Sequence, residues 1–227
     1  KVCYYISITN SIWDAVVYSI RNDDGEDLVN ALTLIEKVPI CVDPDHLQKL
    51  WKVLIMKYKM SKSIESAKTI CSILKRKKDM SCDTLIPVIY EDMSKDNEQN
   101  VITGLKIMRH MNSQHFIPML KLPSATLQFW PNLVKLVKRK NEKICRSIGK
   151  LIMNIIKCIK DFSVDPEFLR SIIELLYDEK TSFDTAYPFI VFLANVTQVR
   201  DIVIYLKKQS FLQYLQQLPW RYENEPR

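Results

Sequence analysis

The side chains in this sequence that could do chemistry form a short inventory. His110 and His115 stand five residues apart with no Cys or carboxylate at ligand spacing, a poor pattern for a metal site. His46 sits where a helical pattern begins and reads as a surface residue. A nucleophile would need a base and an orienting group around a Ser or Cys, and no such set is legible. Asp23-Asp24 falls in a break between patterns and reads as a helix cap. What remains is cationic. Lys106, Arg109, Arg146 and Lys150 stand out, and from Lys135 through Lys160 nearly every charge is positive, with Glu142 the exception. Such groups make charge-assisted hydrogen bonds to carboxylates and phosphates, so the chemistry on offer is recognition of an acidic partner. The run Lys75 to Lys78 (KRKK) could contact phosphate or address the nucleus, but it falls at the end of a helical pattern, where cations suit the dipole, and is read as structural.

The composition is that of a helical globular chain. Its 227 residues are 47% hydrophobic with a formal charge of +7, enough length to bury a core and enough positive charge to favour acidic surfaces. Only three glycines occur, Gly25, Gly104 and Gly149, which leaves little room for tight hairpins or phosphate-cradling loops. The six cysteines lack CxxC spacing, and several lie within apolar helical patterns. That argues for a reducing compartment, cytoplasmic or nuclear. Asn195-Val196-Thr197 fits a glycosylation sequon and is read as coincidence. There is no apolar run of membrane-spanning length, and no leader is expected. The first residue, Lys1, leads us to expect a piece of a longer protein.

The elements that would position the cations are helices. Asn141 to Ile159 carries Ile144, Ile148, Leu151, Ile152, Ile155, Ile156 and Ile159 at three- and four-residue steps, with Arg146, Lys150, Asn154 and Lys157 on the other side. Similar patterns run from Thr9 to Arg21, Glu26 to Val38, Asp45 to Tyr58, Ser63 to Lys75, Asp83 to Met93, Asn97 to Met111, Ala125 to Arg139, Pro166 to Tyr177 and Ser182 to Val196. Paired in order they make hairpins at 8–38, 45–76, 83–111, 125–160 and 166–197. An insertion at 112–123 holds two prolines, and 199–220 reads as a cap. Trp13, Trp51 and Trp130 take apolar helical positions and are read as core, and Trp220 as a seal on the cap.

The second helices superpose. Ala31, Ala67, Gly104, Ile148 and Phe189 lead equivalent apolar sets at steps of 36, 37, 44 and 41 residues, close to the roughly 40 to 47 of helical solenoid repeats. Units of this kind cannot bury their apolar faces alone, so they stack.

The segments GLKIMRHM, IGKLIMNI and FIVFLANV, two of them introduced by Asn-Glu (Asn97-Glu98 and Asn141-Glu142), resemble the third helix of armadillo repeats. HEAT-type pairing is the alternative, above all for the short early repeats. The resemblance implies an all-α, right-handed α-α superhelix of about five repeats plus a C-terminal cap, forming one domain over the whole chain. It also implies a concave groove lined by residues two and six places after each leading residue: Thr33 and Lys37, Thr69 and Ile73, Lys106 and His110, Lys150 and Asn154, Val191 and Asn195. Asn154 and Asn195 match the asparagine with which that family holds the main chain of an extended peptide. Lys106, Lys150 and Val191 occupy the column where nuclear-import receptors carry tryptophan. Basic cargo is therefore not expected, since the groove would repel it.

The expected function is a non-catalytic scaffold, with no cofactor, that binds an acidic peptide or protein surface through Lys106, Arg109, His110, Arg146, Lys150, Asn154 and Asn195. The alternatives are a HEAT-type binder of polyanions such as nucleic acid or a tubulin-like surface, and a regulatory or assembly domain of a larger protein such as an enzyme.

Overall fold

The computed structural model describes residues 10–37, 44–112, 115, 129–156 and 164–196. Among them are ten α-helices and no strand. The insertion at 112–123, apart from Asn112 and His115, and the cap at 199–220 lie outside the described residues, as does Trp220. The chain divides into two compact units, Lys1–Ile89 and Tyr90–Arg227.

The first unit contains α1 (Asn10–Asn22), α2 (Glu26–Lys37), α3 (Pro44–Ser61), α4 (Ile64–Arg76) and the start of α5 (Leu85–Ser94). Local signals set the ends. Gly25, at φ +68°, ends the α1–α2 turn in a conformation that a Cβ would strain. Pro44 begins α3 at a position where its missing N–H costs nothing. Lys62 closes the α3–α4 turn at φ +51°, its ammonium 5.2 Å from the centre of the Tyr58 ring. Ser63 caps α4 by accepting from Ser66 N–H at 3.0 Å.

Packing in this unit is of like against like. Helix α1 lies against α3, α2 lies against α4, and the hairpin pairs α1–α2 and α3–α4 close between them. Trp13, Ile20, Leu32, Ile35, Leu50, Leu54, Tyr58 and Ile70 form the buried interior. Trp51 is buried too, and its indole N–H donates to Ser81 O at 2.7 Å.

The second unit holds the rest of α5 with α6 (Glu98–Arg109), α7 (Phe129–Lys138), α8 (Glu142–Ile155), α9 (Pro166–Tyr177) and α10 (Phe183–Val196). Asn97, Asn141 and Asp165 are N-caps of α6, α8 and α9, each accepting main-chain N–H donors with its side chain. Here α7 lies against α9, while α6, α8 and α10 lie side by side with α8 in the middle. Between the layers runs a chain of aromatic rings: Phe129 to Trp130 at 5.0 Å, Trp130 to Phe168 at 4.9 Å and Phe168 to Phe192 at 6.0 Å between centroids. These large rings supply much of the buried apolar area that holds the hairpins together.

The α8–α10 contact is close because α8 carries a glycine there. A Cβ built on Gly149 would stand 2.9 Å from Pro188 Cβ. Residues Cys71, Cys82 and Cys145 are buried free thiols, Cys71 within α4, Cys145 within α8 and Cys82 in the connection between α4 and α5.

Candidate partner-binding face

Of the residues expected to line the groove, Thr33 and Lys37 of α2 and Thr69 and Ile73 of α4 lie in the first unit, and Thr69 and Ile73 are buried against neighbouring helices instead of open to a partner. Lys106, Arg109, His110, Arg146, Lys150, Asn154, Val191 and Asn195 lie in the second unit, on α6, α8 or α10 or at the C-cap of α6. Whether they form one face depends on axial register, because a helix shifted by a turn would carry its cations out of line. Register is set at the helix starts by a repeated contact. The cap residue of each later helix donates to the first-turn glutamate of the helix before it: Asn141 Nδ2 to Glu98 Oε2 at 2.6 Å, and Ser182 Oγ to Glu142 Oε1 at 2.7 Å. Asn141 serves twice, since its Oδ1 also accepts from Ile144 N–H. The turns are fastened as well, Arg139 donating to Lys95 O and Asp96, and Lys140 pairing with Asp178 at 2.6 Å.

These contacts hold the carboxylates in their charged forms. Hydrogen bonds from Asn141 and then Lys143 keep Glu98 below the usual glutamate range. Glu142 is lowered chiefly by the Ser182 hydroxyl, with Arg146 adding attraction. Lys140 lowers Asp178 in the same way, and Lys138 lowers Glu167.

With the caps aligned, Lys106, Lys150 and Val191 occupy equivalent places on successive helices, and so do His110, Asn154 and Asn195. Lys106 and Lys150 are exposed; Arg109, His110, Arg146, Asn154, Val191 and Asn195 are half-buried. One direct link ties the far ends of α6 and α8, where Asn154 Nδ2 donates to Arg109 O at 2.6 Å. The side chain expected to hold a partner's main chain therefore already holds the neighbouring helix, leaving its second N–H and its carbonyl oxygen. Asn195 Nδ2 bonds Val191 O in its own helix at 2.8 Å.

Charge on this face is segregated. At the helix starts, Glu98 pairs with Lys143 at 3.1 Å, and Arg146 pairs with Glu142 at 2.9 Å and Asp184 at 3.8 Å. Arg146 is thus balanced by two carboxylates. Toward the helix ends the carboxylates stop. From Thr103 to Arg109, from Ser147 to Ile155 and from Phe189 to Val196 there is no Asp or Glu, whereas Lys106, Arg109 and Lys150 fall in these halves. Arg109 and Lys150 form no ion pair among the described residues.

Asp184 as a counter-charge and the exposed ring pair Phe183–Tyr187 were not picked out from the sequence. Their signal was a pair of aromatics four apart, out of phase with the buried set Phe189, Phe192, Leu193 and Val196.

Chemistry elsewhere in this unit is muted. A cleft of about 310 Å³ opens between the α7–α8 and α9–α10 turns, lined by Lys140, Glu142, Cys145, Asp178, Thr181 and Thr185 among others. Of its charged groups, Lys140 pairs with Asp178 and Glu142 accepts from Ser182, while Lys180 also lines it. Burial, and secondarily Glu142, pushes the Cys145 thiol up to about 11, so the reactive thiolate is scarce at neutral pH. No group of three or more His, Cys, Asp or Glu among the described residues is placed to hold a metal ion, and no helix among them is long and apolar enough to cross a membrane. No protein-family model matches this chain, and neither does any curated protein.

Proposed function

We propose that the second unit is a non-catalytic docking module that takes an extended acidic segment across the C-terminal halves of α6, α8 and α10. The observation that carries the reading is the segregation of charge on three helices held in register: their C-terminal halves contain Lys106, Arg109 and Lys150 but no Asp or Glu, and Arg109 and Lys150 form no ion pair among the described residues. Each such contact at an exposed site contributes roughly 0.2–1 kcal/mol, so several must act together. The remaining hydrogen-bonding capacity of Asn154 and Asn195 adds main-chain recognition, and a pre-formed face loses little entropy on binding.

In this reading the hairpins of each unit are armadillo- or HEAT-type repeats, stacked as a right-handed solenoid. The like-against-like packing of first and second helices supports it. A cytoplasmic or nuclear setting accords with Cys71, Cys82 and Cys145 as free thiols.

The test is fluorescence anisotropy with a labelled oligoglutamate peptide and, beside it, single-stranded DNA of equal charge. The variant combines Lys106→Glu, Arg109→Glu and Lys150→Glu. Arg146 is left alone because reversing it would set a third negative charge beside Glu142 and Asp184. Peptide affinity is expected to fall at least about tenfold at unchanged circular dichroism, since three lost contacts and three new repulsions add to more than 1.4 kcal/mol. Equal affinity of wild type and variant for the peptide would remove the docking face. Tighter binding of DNA than of peptide, with a steep salt dependence, would turn the assignment to polyanions.

A further inference from the structure

We infer that the outer face of α3, in the first unit, docks an acidic amphipathic helix of a partner protein, with Lys49, Lys52 and Lys59 facing its carboxylates and Met56 and Met60 taking its apolar side chains. This surface belongs to the other unit from the docking face proposed above and does not rest on that reading.

Helix α3 is the longest of the described helices, at 18 residues, or about 27 Å. Leu50, Leu54 and Tyr58 bury one side of it in the core. On the opposite side Gln48, Lys49, Lys52, Met56, Lys59 and Met60 follow at three- and four-residue spacings, and all are exposed. Buried Val53 and Ile55 bound this stripe on its two sides. From Gln48 to Ser61 the helix has no Asp or Glu. Lys49, Lys52 and Lys59 form no ion pair among the described residues, whereas Lys57, off the stripe, is held by Asp24 at 2.7 Å.

Two thioethers stand among these cations. Met56 is 61% exposed and Met60 79%. One turn apart, they are surface neighbours and make a single patch instead of two scattered apolar residues. Helix formation does not ask for them there, since Lys or Glu has much the same propensity. Methionine is unbranched and polarizable, and so adapts to the apolar side chains of an incoming surface.

The shape and charge of the stripe select its occupant. A ridge on one helix offers no sheet edge, so an extended segment would gain no ladder of main-chain hydrogen bonds from it. A helix packed along α3 buries both thioethers and can carry carboxylates at the spacing of the lysines. A second copy of this face would set the three lysines against their own kind. An anionic lipid surface would meet Asp14 and Asp24, exposed carboxylates beside the stripe where Asp14 lies 3.4 Å from His46 and Asp24 pairs with Lys57. A partner helix, about 10 Å across, covers the stripe alone.

The test is fluorescence anisotropy with labelled, hydrocarbon-stapled helical peptides of α3's length. The first carries Leu along one side flanked by Glu; the second has Ser for Leu, the third Gln for Glu, and the fourth the residues of the first scrambled around the helix. The full chain should bind the first at least about tenfold tighter than any other. Lys49→Glu with Lys52→Glu and Lys59→Glu should remove that binding, and Met56→Ser with Met60→Ser should bring the first peptide down to the level of the second, both with circular dichroism unchanged. The Lys106→Glu, Arg109→Glu, Lys150→Glu protein should bind the first peptide as wild type does. The inference is overturned if the first peptide binds no better than its Ser, Gln or scrambled form, if either set of α3 substitutions leaves its affinity unchanged, or if the second-unit variant loses it, which would put the peptide on the other face. Tighter binding to vesicles of phosphatidylserine and phosphatidylcholine than to any peptide, lost in the α3 variants, would overturn it in favour of a lipid surface. Dimers in sedimentation velocity that are lost with Met56→Ser and Met60→Ser would overturn it in favour of a second copy of the chain.

Discussion

The two units tie neighbouring second helices together by the same device, built from different side chains. In the first unit Arg76 of α4 donates to Ile35 O near the end of α2 at 2.6 Å. In the second, Asn154 of α8 donates to Arg109 O at the end of α6, also at 2.6 Å. An orphan carbonyl at a helix end needs a donor, and both units supply one from the next helix in the stack. The consequence for charge differs. The first unit commits a guanidinium to the framework, whereas the second uses a neutral amide and leaves Arg109 and Lys150 without an ion pair among the described residues. At the helix starts the contrast runs the other way. Ser63 caps α4 with contacts to Ser61 and Ser66 beside it, while Asn141 and Ser182 reach across to Glu98 and Glu142. Other polar links take up register in the first unit: Thr69 donates to Glu36 at 3.0 Å, and Lys57 pairs with Asp24 at 2.7 Å. At the ends of α6 and α8 a neutral amide does the fastening; at the turns of the same unit Arg139 and Lys140 are committed to it.

The sharpest way to break the contrast is steric. Gly149→Ala drives a Cβ against the Pro188 ring, which cannot swing aside, so we expect a loss of about 1–3 kcal/mol in chemical denaturation, reduced by alanine's better helix propensity. Gly25→Ala in the first unit meets nothing within 4 Å and incurs only the left-handed backbone strain, about 1–2 kcal/mol. Hydrogen exchange should show the first substitution exposing α8 and α10 and the second exposing α1 and α2.

The two end ties come next. Arg76→Ala removes a charged donor and should lower stability by about 1–2 kcal/mol, and Asn154→Ala by about 0.5–1.5 kcal/mol. Equal losses would mean that the guanidinium charge adds nothing to the tie. Asn154→Ala should also weaken binding of the oligoglutamate peptide less than the charge-reversal variant does, because its amide is already engaged within the protein.

Acid should act on the second unit in a defined direction. Glu98, Glu142, Glu167 and Asp178 all have folded-state pKa values lowered by hydrogen-bond donors, so each contributes stability that is present above its ordinary value, 4.5 for Glu and 3.8 for Asp. That contribution is lost as pH falls from there through the lower folded values. Exposed as they are, each effect is small, and a shallow acid limb is expected in the unfolding of this unit. Glu98→Gln with Glu142→Gln should flatten that limb; a limb unchanged by the pair would mean that the cap contacts do not set it.

Much of the helical framework was legible because its signals are local. The expected Pro166 to Tyr177 helix occupies those residues, Asp165 and Pro166 marking its start, and Ser63, Asn97 and Asn141 cap α4, α6 and α8 where the patterns begin. Trp13, Trp51 and Trp130 are buried as their apolar phase required. The cationic stretch was legible as composition only. Arg146 looked equivalent to Lys150, yet its partner Asp184 lies 38 residues further on, and no local pattern joins them. Nor did the sequence mark Gly149 as the point where α8 meets Pro188.

Helix, cap and turn are decided within a few residues, by the i to i+4 hydrogen bond, the missing N–H of proline and the phase of apolar side chains. The sequence alone therefore determined an all-helical chain of hairpins, and an excess of positive charge along one of its helices. Which cations are balanced, which amides are already engaged and how the chain divides into two compact units were decided only by lateral packing. A side chain's neighbour across a helix pair depends on axial register, and register is set jointly by core fit and by cap contacts reaching over 40 residues along the chain.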